Sequence, residues 1–345
     1  MKRLGILFGG RSSEHEISLM SATSVIRAMD QSRFRIVMIG IAKSGEWLKY
    51  EGDPEKIESG NWEKTATGFE IGKLKQEVDI VLPILHGPYG EDGTLQGLLE
   101  MLGLPYCGCG VLASATAMDK MISKELFSKA GLPVCKYTLV LAENLSDRET
   151  AAEEMKRIEA LVPYPMFVKP ANMGSSVGIT KVKSREGLME ALVTAKKHDR
   201  RILVEEGIDC REMEVGIVGN FEPRASVVGE ILPSAEFYDY KAKYFDGGQS
   251  RMCIPADISP ALSEEIRQLA VKAYEAIDGA GFARIDFFQD RKTDRVYINE
   301  INTIPGFTRF SMFPLLWGET GLLYAELLER IVDLGYERYN AKNNR

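Results

Sequence analysis

Apolar residues recur along this chain in two rhythms. Near-continuous apolar runs at 4–8, 36–41 and 79–85 read as buried strands, and spacings of three and four residues between them read as helices. Ser13 and Glu16 have the spacing of a capping box, in which hydroxyl and carboxylate satisfy each other's orphan N–H groups, so a helix is predicted from there to about 29. Another is predicted over 91–102, after a loop at His86. Strand and helix alternating in this way predict an α/β fold with an open parallel sheet in residues 1–105. Residues 45–75 are polar and weakly patterned and read as an irregular excursion. Further on, a helix is predicted over 114–130, with Lys120 inside it or at its start, ended by Gly131 and Pro133. Two strands then flank a small-residue loop within 165–182. A polar-faced helix over 149–159 has Ser146 and Glu149 as its capping box. The strand at 202–208 ends in a short linker, and 234–252 form a connection long enough to expect a functional role. An amphipathic helix is predicted over 262–278, apolar at Leu262, Ile266, Leu269, Ala273 and Ile277 and stopped by Gly279, and a closing helix over 321–334.

Composition narrows the classes. The 345 residues carry a formal charge of −7, whereas nucleic-acid backbones call for clustered lysine and arginine, so a nucleic-acid surface is not expected. No apolar run approaches the ~18 residues of a membrane span. The first eight residues are basic then apolar, but Gly9-Gly10 cut the apolar stretch short, which reads as a first strand rather than a signal peptide. Five cysteines without Cys-x-x-Cys spacing point to free thiols in a reducing compartment and imply no zinc site.

Candidate chemistry concentrates near the C-terminus. Arg284-Ile285-Asp286 and Asn299-Glu300-Ile301-Asn302 both read as strands, on which Arg284 and Asp286 share one face and so do Glu300 and Asn302. Two carboxylates and an amide oxygen on one face suit a hard cation such as Mg²⁺. Solvated strands with a polar face would look the same, but the apolar flanks imply burial, where unpaired carboxylates are costly. Upstream, Lys169 precedes the loop Gly174-Ser175-Ser176-Val177-Gly178. A P-loop would place Gly-Lys-Ser/Thr at the start of a helix, whereas this loop joins two strands. It reads as a flap whose N–H groups at 174–177 hold phosphate oxygens with Lys169 as a point charge, or as an ordinary Gly-Ser hairpin loop. Glu14 is either a first-turn acid stabilised by the helix dipole or a ligand, and His86 either a loop histidine or a ligand. Both follow strand C-terminal ends, where open α/β sheets bind ligands.

Taken with the Lys120 region, the runs Gly9-Gly10-Arg11-Ser12-Ser13-Glu14-His15-Glu16, His86-Gly87-Pro88-Tyr89-Gly90-Glu91-Asp92-Gly93 and Phe237-Tyr238-Asp239-Tyr240-Lys241-Ala242-Lys243-Tyr244 extend the pattern over nearly the whole chain. In this order they resemble the D-alanine–D-alanine ligase family of ATP-grasp enzymes. The resemblance implies a three-domain ATP-grasp architecture, divided at 1–107, 108–202 and 203–345, with ATP between the central and C-terminal domains. It implies two Mg²⁺ or Mn²⁺ ions on Asp286, Glu300 and Asn302, and phosphates on Lys120, Lys169, Ser175, Ser176, Val177 and Lys243. Glu205, Glu206 and Ile208 would meet adenine and Glu212 the ribose; surface acids on a plain turn are the other reading of the three glutamates. By the same resemblance Glu14 pairs with the first substrate's ammonium, with His86 near it. Arg284 and the Gly306 N–H stabilise a tetrahedral adduct, and Ser311 and Met312 face the second substrate. Glu14, Ser175 and Tyr244 link to hold a lid shut. The implied reaction joins two D-alanines through an acyl phosphate for peptidoglycan precursors, in the cytoplasm, by a homodimer formed through the N-terminal domain. Arg309-Phe310 departs from the related ligases, which keeps a D-alanine–D-serine ligase as the alternative. Tyr244 argues against a D-lactate acceptor. A non-catalytic nucleotide-binding regulator on the same fold is a further alternative, against which the intact Asp286, Glu300 and Asn302 speak.

Overall fold

The buried apolar runs become the centre of a first sheet. In the computed structural model, which describes residues 1–174, 177–232 and 251–343, β1 (Lys2–Gly9) lies between β2 (Phe34–Ile41) and β5 (Ile80–Ile84), both parallel to it. The expected all-parallel sheet is in fact mixed. Part of the 45–75 excursion forms β3 (Trp47–Tyr50) and β4 (Thr67–Gly68), which add antiparallel strands on the β2 side. That segment is therefore not irregular throughout. It is pinned by Trp62, whose buried ring packs edge-on against Phe8 at 5.0 Å and Tyr50 at 6.4 Å between ring centroids. One tryptophan in a polar stretch and a four-residue strand leave no periodic trace for pattern reading to find.

Helix termini also differ from the predicted ones. The first helix, α1 (His15–Ala28), has Glu14 rather than Ser13 at its N-cap, without a side-chain cap bond, so the Ser13/Glu16 capping box does not form. After the short helices α2 (Glu55–Glu58) and α3 (Leu74–Glu77), α4 (Thr94–Met101) begins only after Gly93, which leaves Glu91 in the preceding loop. The predicted 114–130 helix is two helices, α5 (Val111–Met118) and α6 (Lys120–Lys129). Asp119 between them has extended backbone, and its carboxylate accepts the Met121 and Ile122 N–H groups at 3.0 Å each. Lys120 is thus the first residue of α6. In α7 (Arg148–Leu161) the cap is Asp147, not Ser146; its Oδ1 takes the Glu149 and Thr150 N–H groups.

The second sheet has the order β6-β9-β7-β8, all antiparallel: β6 (Tyr137–Leu141), β7 (Met166–Pro170), β8 (Thr180–Val182) and β9 (Arg201–Glu206). The helix α8 (Arg185–Lys196) packs on it through Leu188, Ala191, Leu192 and Ala195. The predicted flap is the connection between β7 and β8. The third sheet, order β12-β11-β10-β13-β14, is also antiparallel and contains β10 (Cys210–Val218), β11 (Arg224–Leu232), β12 (Arg251–Cys253), β13 (Phe282–Asp290) and β14 (Val296–Asn302). Its apolar face is covered by α9 (Pro260–Ala276). After α10 (Met312–Glu319), the closing helix α11 (Tyr324–Asn343) runs well past the predicted 321–334. It returns to the first sheet, where Leu327, Leu328, Ile331, Val332 and Leu334 share a core with Leu4, Ile6, Ile80 and Leu82. Each such buried side chain contributes ~1.5–3 kcal/mol of apolar burial. No helix among the described residues is long and apolar enough to cross a membrane, and all five cysteines are free thiols.

Candidate active site

The C-terminal ends of β1 and β5 lie side by side because both pair with parallel register. Ser18 ties them together, accepting the Gly9 N–H at 2.7 Å and donating to the Ile84 carbonyl. Over this edge stand Glu14 and His86, both nearly buried. Ser12 joins their loops, donating to the His86 carbonyl at 2.7 Å and accepting the Glu14 N–H at 3.2 Å. The Glu14 carboxylate reaches across to the flap. Its Oε2 lies 2.6 Å from where a Cβ would stand on Gly174 and on Gly87, so both glycines are what admit it.

On the third sheet the predicted strand face forms. β13 and β14 pair so that Arg284 lies opposite Asn302 and Asp286 opposite Glu300, which puts all four side chains on one face. A bulge beyond Asp286 accommodates Asn299 as the extra residue. Arg284 grips Asp286 with two bonds of 2.7 Å and also lies 2.9 Å from Glu214 of β10, a residue the sequence reading passed over. The Asn302 amide donates to Asp286 Oδ2 at 3.0 Å. Lys120 Nζ completes the group, 3.1 Å from Glu300 and donating to the Met173 carbonyl at 3.0 Å. Burial disfavours its charge, yet Glu300 and its neighbours hold the Lys120 ammonium above the usual lysine range. A buried and a partly buried carboxylate and an amide oxygen are hard donors on one rigid face, so Asp286, Glu300 and Asn302 fit a divalent cation of the Mg²⁺ kind.

Behind this face lies a fully buried ion triad. Glu205 receives Lys169 on one oxygen and Lys124 on the other, at 3.1 Å for Lys124. Burial pushes the Glu205 carboxyl up, but the two ammonium groups overcome this and hold it below its ordinary range. Lys124 also donates to the Asn299 carbonyl at 3.4 Å, linking α6 to β14. Lys124 was not anticipated: a lysine four residues into a helix has no distinguishing pattern. Glu206 and Ile208 lie at and just beyond the end of β9, with Glu206 accepting the Lys136 N–H at 3.5 Å, and Glu212 lies on β10.

Gly306 and Ser311 are adjacent: a Cβ on Gly306 would meet Ser311 Oγ at 2.9 Å. Ser311 caps α10 by position and accepts the Thr308 N–H at 3.1 Å. Among the described residues no acceptor takes the Gly306 N–H. Met312 turns its side chain into a small core with Ile231 and Leu316, leaving its backbone at the helix start. Val177 N–H bonds to the Gly174 carbonyl at 3.2 Å. Ser175, Ser176, Lys243 and Tyr244, and most of the 234–252 connection, lie outside the described residues.

A second acid, Glu91, has no assigned role in the sequence reading. Glu91 is partly buried between the His86 loop and the 303–307 segment and takes the Gly87 and Ile304 N–H groups at 2.7 and 2.8 Å. Burial and the neighbouring Glu14 charge push its carboxyl up to about 8, against those two N–H groups and Arg284. The only available signal was its position inside the His86–Gly93 run.

Similarity to known proteins extends over nearly the whole chain. Residues 3–109 match the family profile described as D-ala D-ala ligase N-terminus, and residues 126–333 the one described as D-ala D-ala ligase C-terminus. The D-alanine–D-alanine ligase of Thermoanaerobacter pseudethanolicus is 50% identical, covering 99% of this chain and 98% of its own. Among solved structures, the VanG D-Ala:D-Ser ligase from Enterococcus faecalis is 36% identical with a TM-score of 0.87, covering 97% of this chain and 99% of its own. The D-alanine–D-alanine ligase from Coxiella burnetii has the same TM-score at 32% identity, covering 99% and 96%. The chain belongs to the D-alanine–D-alanine ligase family.

Proposed function

We propose that this protein joins two D-alanines to D-alanyl-D-alanine at the expense of ATP, releasing ADP and phosphate, as a step toward peptidoglycan. The observation that carries the reading is the Arg284–Asp286–Glu300–Asn302 face meeting Lys120, in a chain half identical over its length to a D-alanine–D-alanine ligase. ATP would lie between the second and third sheets, within a three-unit organisation close to 1–107, 108–202 and 203–345. Its phosphates would meet Lys120, Lys169, Lys243 and the flap N–H groups of Ser175, Ser176 and Val177; adenine would meet Glu205, Glu206 and Ile208, and the ribose Glu212. The buried Lys124–Glu205–Lys169 triad carries one net positive charge, which an incoming phosphate would balance.

Mg²⁺ or Mn²⁺ on Asp286, Glu300 and Asn302 would offset the charge that spreads over the transferring phosphoryl group. Glu14 would hold the first D-alanine's ammonium, with His86 beside it, and so aim its carboxylate at the phosphate. Transfer of the γ-phosphoryl group to that carboxylate would release ADP and give the acyl phosphate; the second amine, its extra proton lost to water, would attack the acyl carbon, and the tetrahedral adduct, its oxyanion facing Arg284 and the Gly306 N–H, would collapse to the peptide by expelling phosphate. Ser311 and the Met312 backbone would orient the second substrate, and Glu14, Ser175 and Tyr244 would close the lid. We place the enzyme in the cytoplasm, as a homodimer through its N-terminal unit.

The test is a competition. The purified protein is given ATP, Mg²⁺ and equal D-alanine, D-serine and D-lactate, with products identified by mass spectrometry. D-alanyl-D-alanine should dominate, and ADP release should require D-alanine. A dominant D-alanyl-D-serine product would transfer the assignment to the activity named for the Enterococcus faecalis structure; ADP release indifferent to D-alanine would overturn ligation.

A further inference from the structure

The segment that presents the Gly306 N–H is anchored on both sides by side chains from the other end of the chain. Ile304 just before Pro305-Gly306 gives its N–H to Glu91 at 2.8 Å, and its carbonyl contacts His86 Nδ1 at 2.8 Å. Phe307 just after gives its N–H to Ser21 Oγ at 3.3 Å, and His86 Nε2 lies 3.2 Å from the same Ser21 oxygen. Ser21 is on α1, and His86 and Glu91 follow β5, more than 200 residues away. Ser21 and His86 are buried and Glu91 is partly buried.

The hydrogen positions follow from these partners. A carbonyl can only accept, so His86 carries its proton on Nδ1. Burial holds the imidazole below its ordinary pKa, against the pull of Glu14 and the Ile304 carbonyl and together with Arg284. The neutral ring then accepts at Nε2 from the Ser21 hydroxyl, and Ser21 Oγ accepts from Phe307. Each donor direction is forced by the next, and both ring nitrogens are engaged by the protein.

We infer that Ser21, His86 and Glu91 are positioning residues of the ligation, holding segment 303–307 at fixed height over the first sheet so that the Gly306 N–H meets the tetrahedral adduct. This rests on the role proposed above for that N–H. None of the three needs to touch substrate: they act by making the Gly306 donor preorganised, so their loss should act on turnover and not on nucleotide capture.

The experiment compares His86→Ala, His86→Asn and Ser21→Ala with the unaltered enzyme, alongside ¹⁵N NMR of the histidine rings of the unaltered protein. An asparagine amide can replace Nδ1–H toward Ile304 but not Nε2. We expect His86→Ala to lower kcat by ~10- to 100-fold, the range of a lost buried hydrogen bond, with the ATP KM changed less than about two-fold. His86→Asn should recover most of that loss, and Ser21→Ala should fall between. The NMR should show His86 neutral and protonated on Nδ1. An Nε2–H ring, an asparagine no better than alanine, or unchanged kcat in Ser21→Ala would overturn the inference. The ring measurement uses only the unaltered protein, so it decides even where a variant fails to fold. Should the unaltered protein release no D-alanine-dependent ADP, the ligation reading fails instead, and the ring tautomer separates the two failures.

Discussion

A carboxyl pushed up to about 8 makes stability depend on pH in a direction opposite to most carboxylates. Glu91 in the folded protein keeps its proton to about pH 8, whereas unfolded it loses it near the usual 4.5. Between these values the folded state binds more protons than the unfolded one, so this residue's contribution to stability falls as pH rises and levels off above about 8. Glu91→Gln removes the titration, so its unfolding free energy relative to the unaltered protein should improve steadily from pH 5 to pH 8 in urea titrations; a difference independent of pH would show that Glu91 is not neutral in the fold. A second residue-scale expectation concerns Glu300. Glu300→Gln keeps the shape but removes one of two carboxylates from the cation face, so ATP should still bind while kcat drops more than ten-fold, equivalent to over ~1.4 kcal/mol of barrier. Retention of more than a tenth of kcat would remove Glu300 from the metal set. That Asp286, Glu300 and Asn302 share one face was readable in the sequence, because strand alternation fixes which neighbours point the same way. Lys124, Glu214 and Glu91 were not, because their partners are distant in the chain or on another strand, and a single charged residue has no period.

At the scale of elements, the flap and the α5–α6 junction are the places where a small change should have a disproportionate effect. Gly174→Ala puts a methyl where the Glu14 carboxylate now lies. The backbone there accepts alanine, so stability should move by less than about 0.5 kcal/mol, while the D-alanine KM rises; an unchanged KM would detach Glu14 from the substrate ammonium. Asp119 caps α6 and also holds Arg201 at 2.8 Å and the Asn172 amide at 3.3 Å, at the base of the flap. Asp119→Ala should cost ~0.5–2 kcal/mol from the cap alone and raise the ATP KM, since Lys120 is the residue that the cap positions. A raised KM without lost stability would point to direct nucleotide contact. The Asp119 break was hidden in the sequence because its neighbours keep a continuous helical apolar pattern. Strands β1 and β5 were visible for the converse reason, being buried on both faces and so needing an uninterrupted apolar run, and β2 shares it in its buried second half, Ile39–Ile41. Caps misled at Ser13 and Ser146 because a capping box is a spacing, and acids at adjacent positions compete for the same role.

On the scale of the whole molecule, the first and last elements share one core. β1 begins at Lys2 and α11 ends at Asn343, yet Leu4 and Ile6 pack in the same cluster as Leu327 and Ile331. Pattern reading found the closing helix but not its destination, since periodicity reports an apolar stripe without naming what it covers. The consequence concerns synthesis. Translation proceeds at ~5–20 residues per second, so once Ile84 has emerged from the ribosome the first sheet waits on the order of 10–50 s for the helix that completes its core. Throughout that interval Leu4, Ile6, Ile80 and Leu82 lack their final cover, so the nascent N-terminal unit is the part of this protein that depends on protection from neighbouring chains, and its folding is tied to the arrival of the last twenty or so residues.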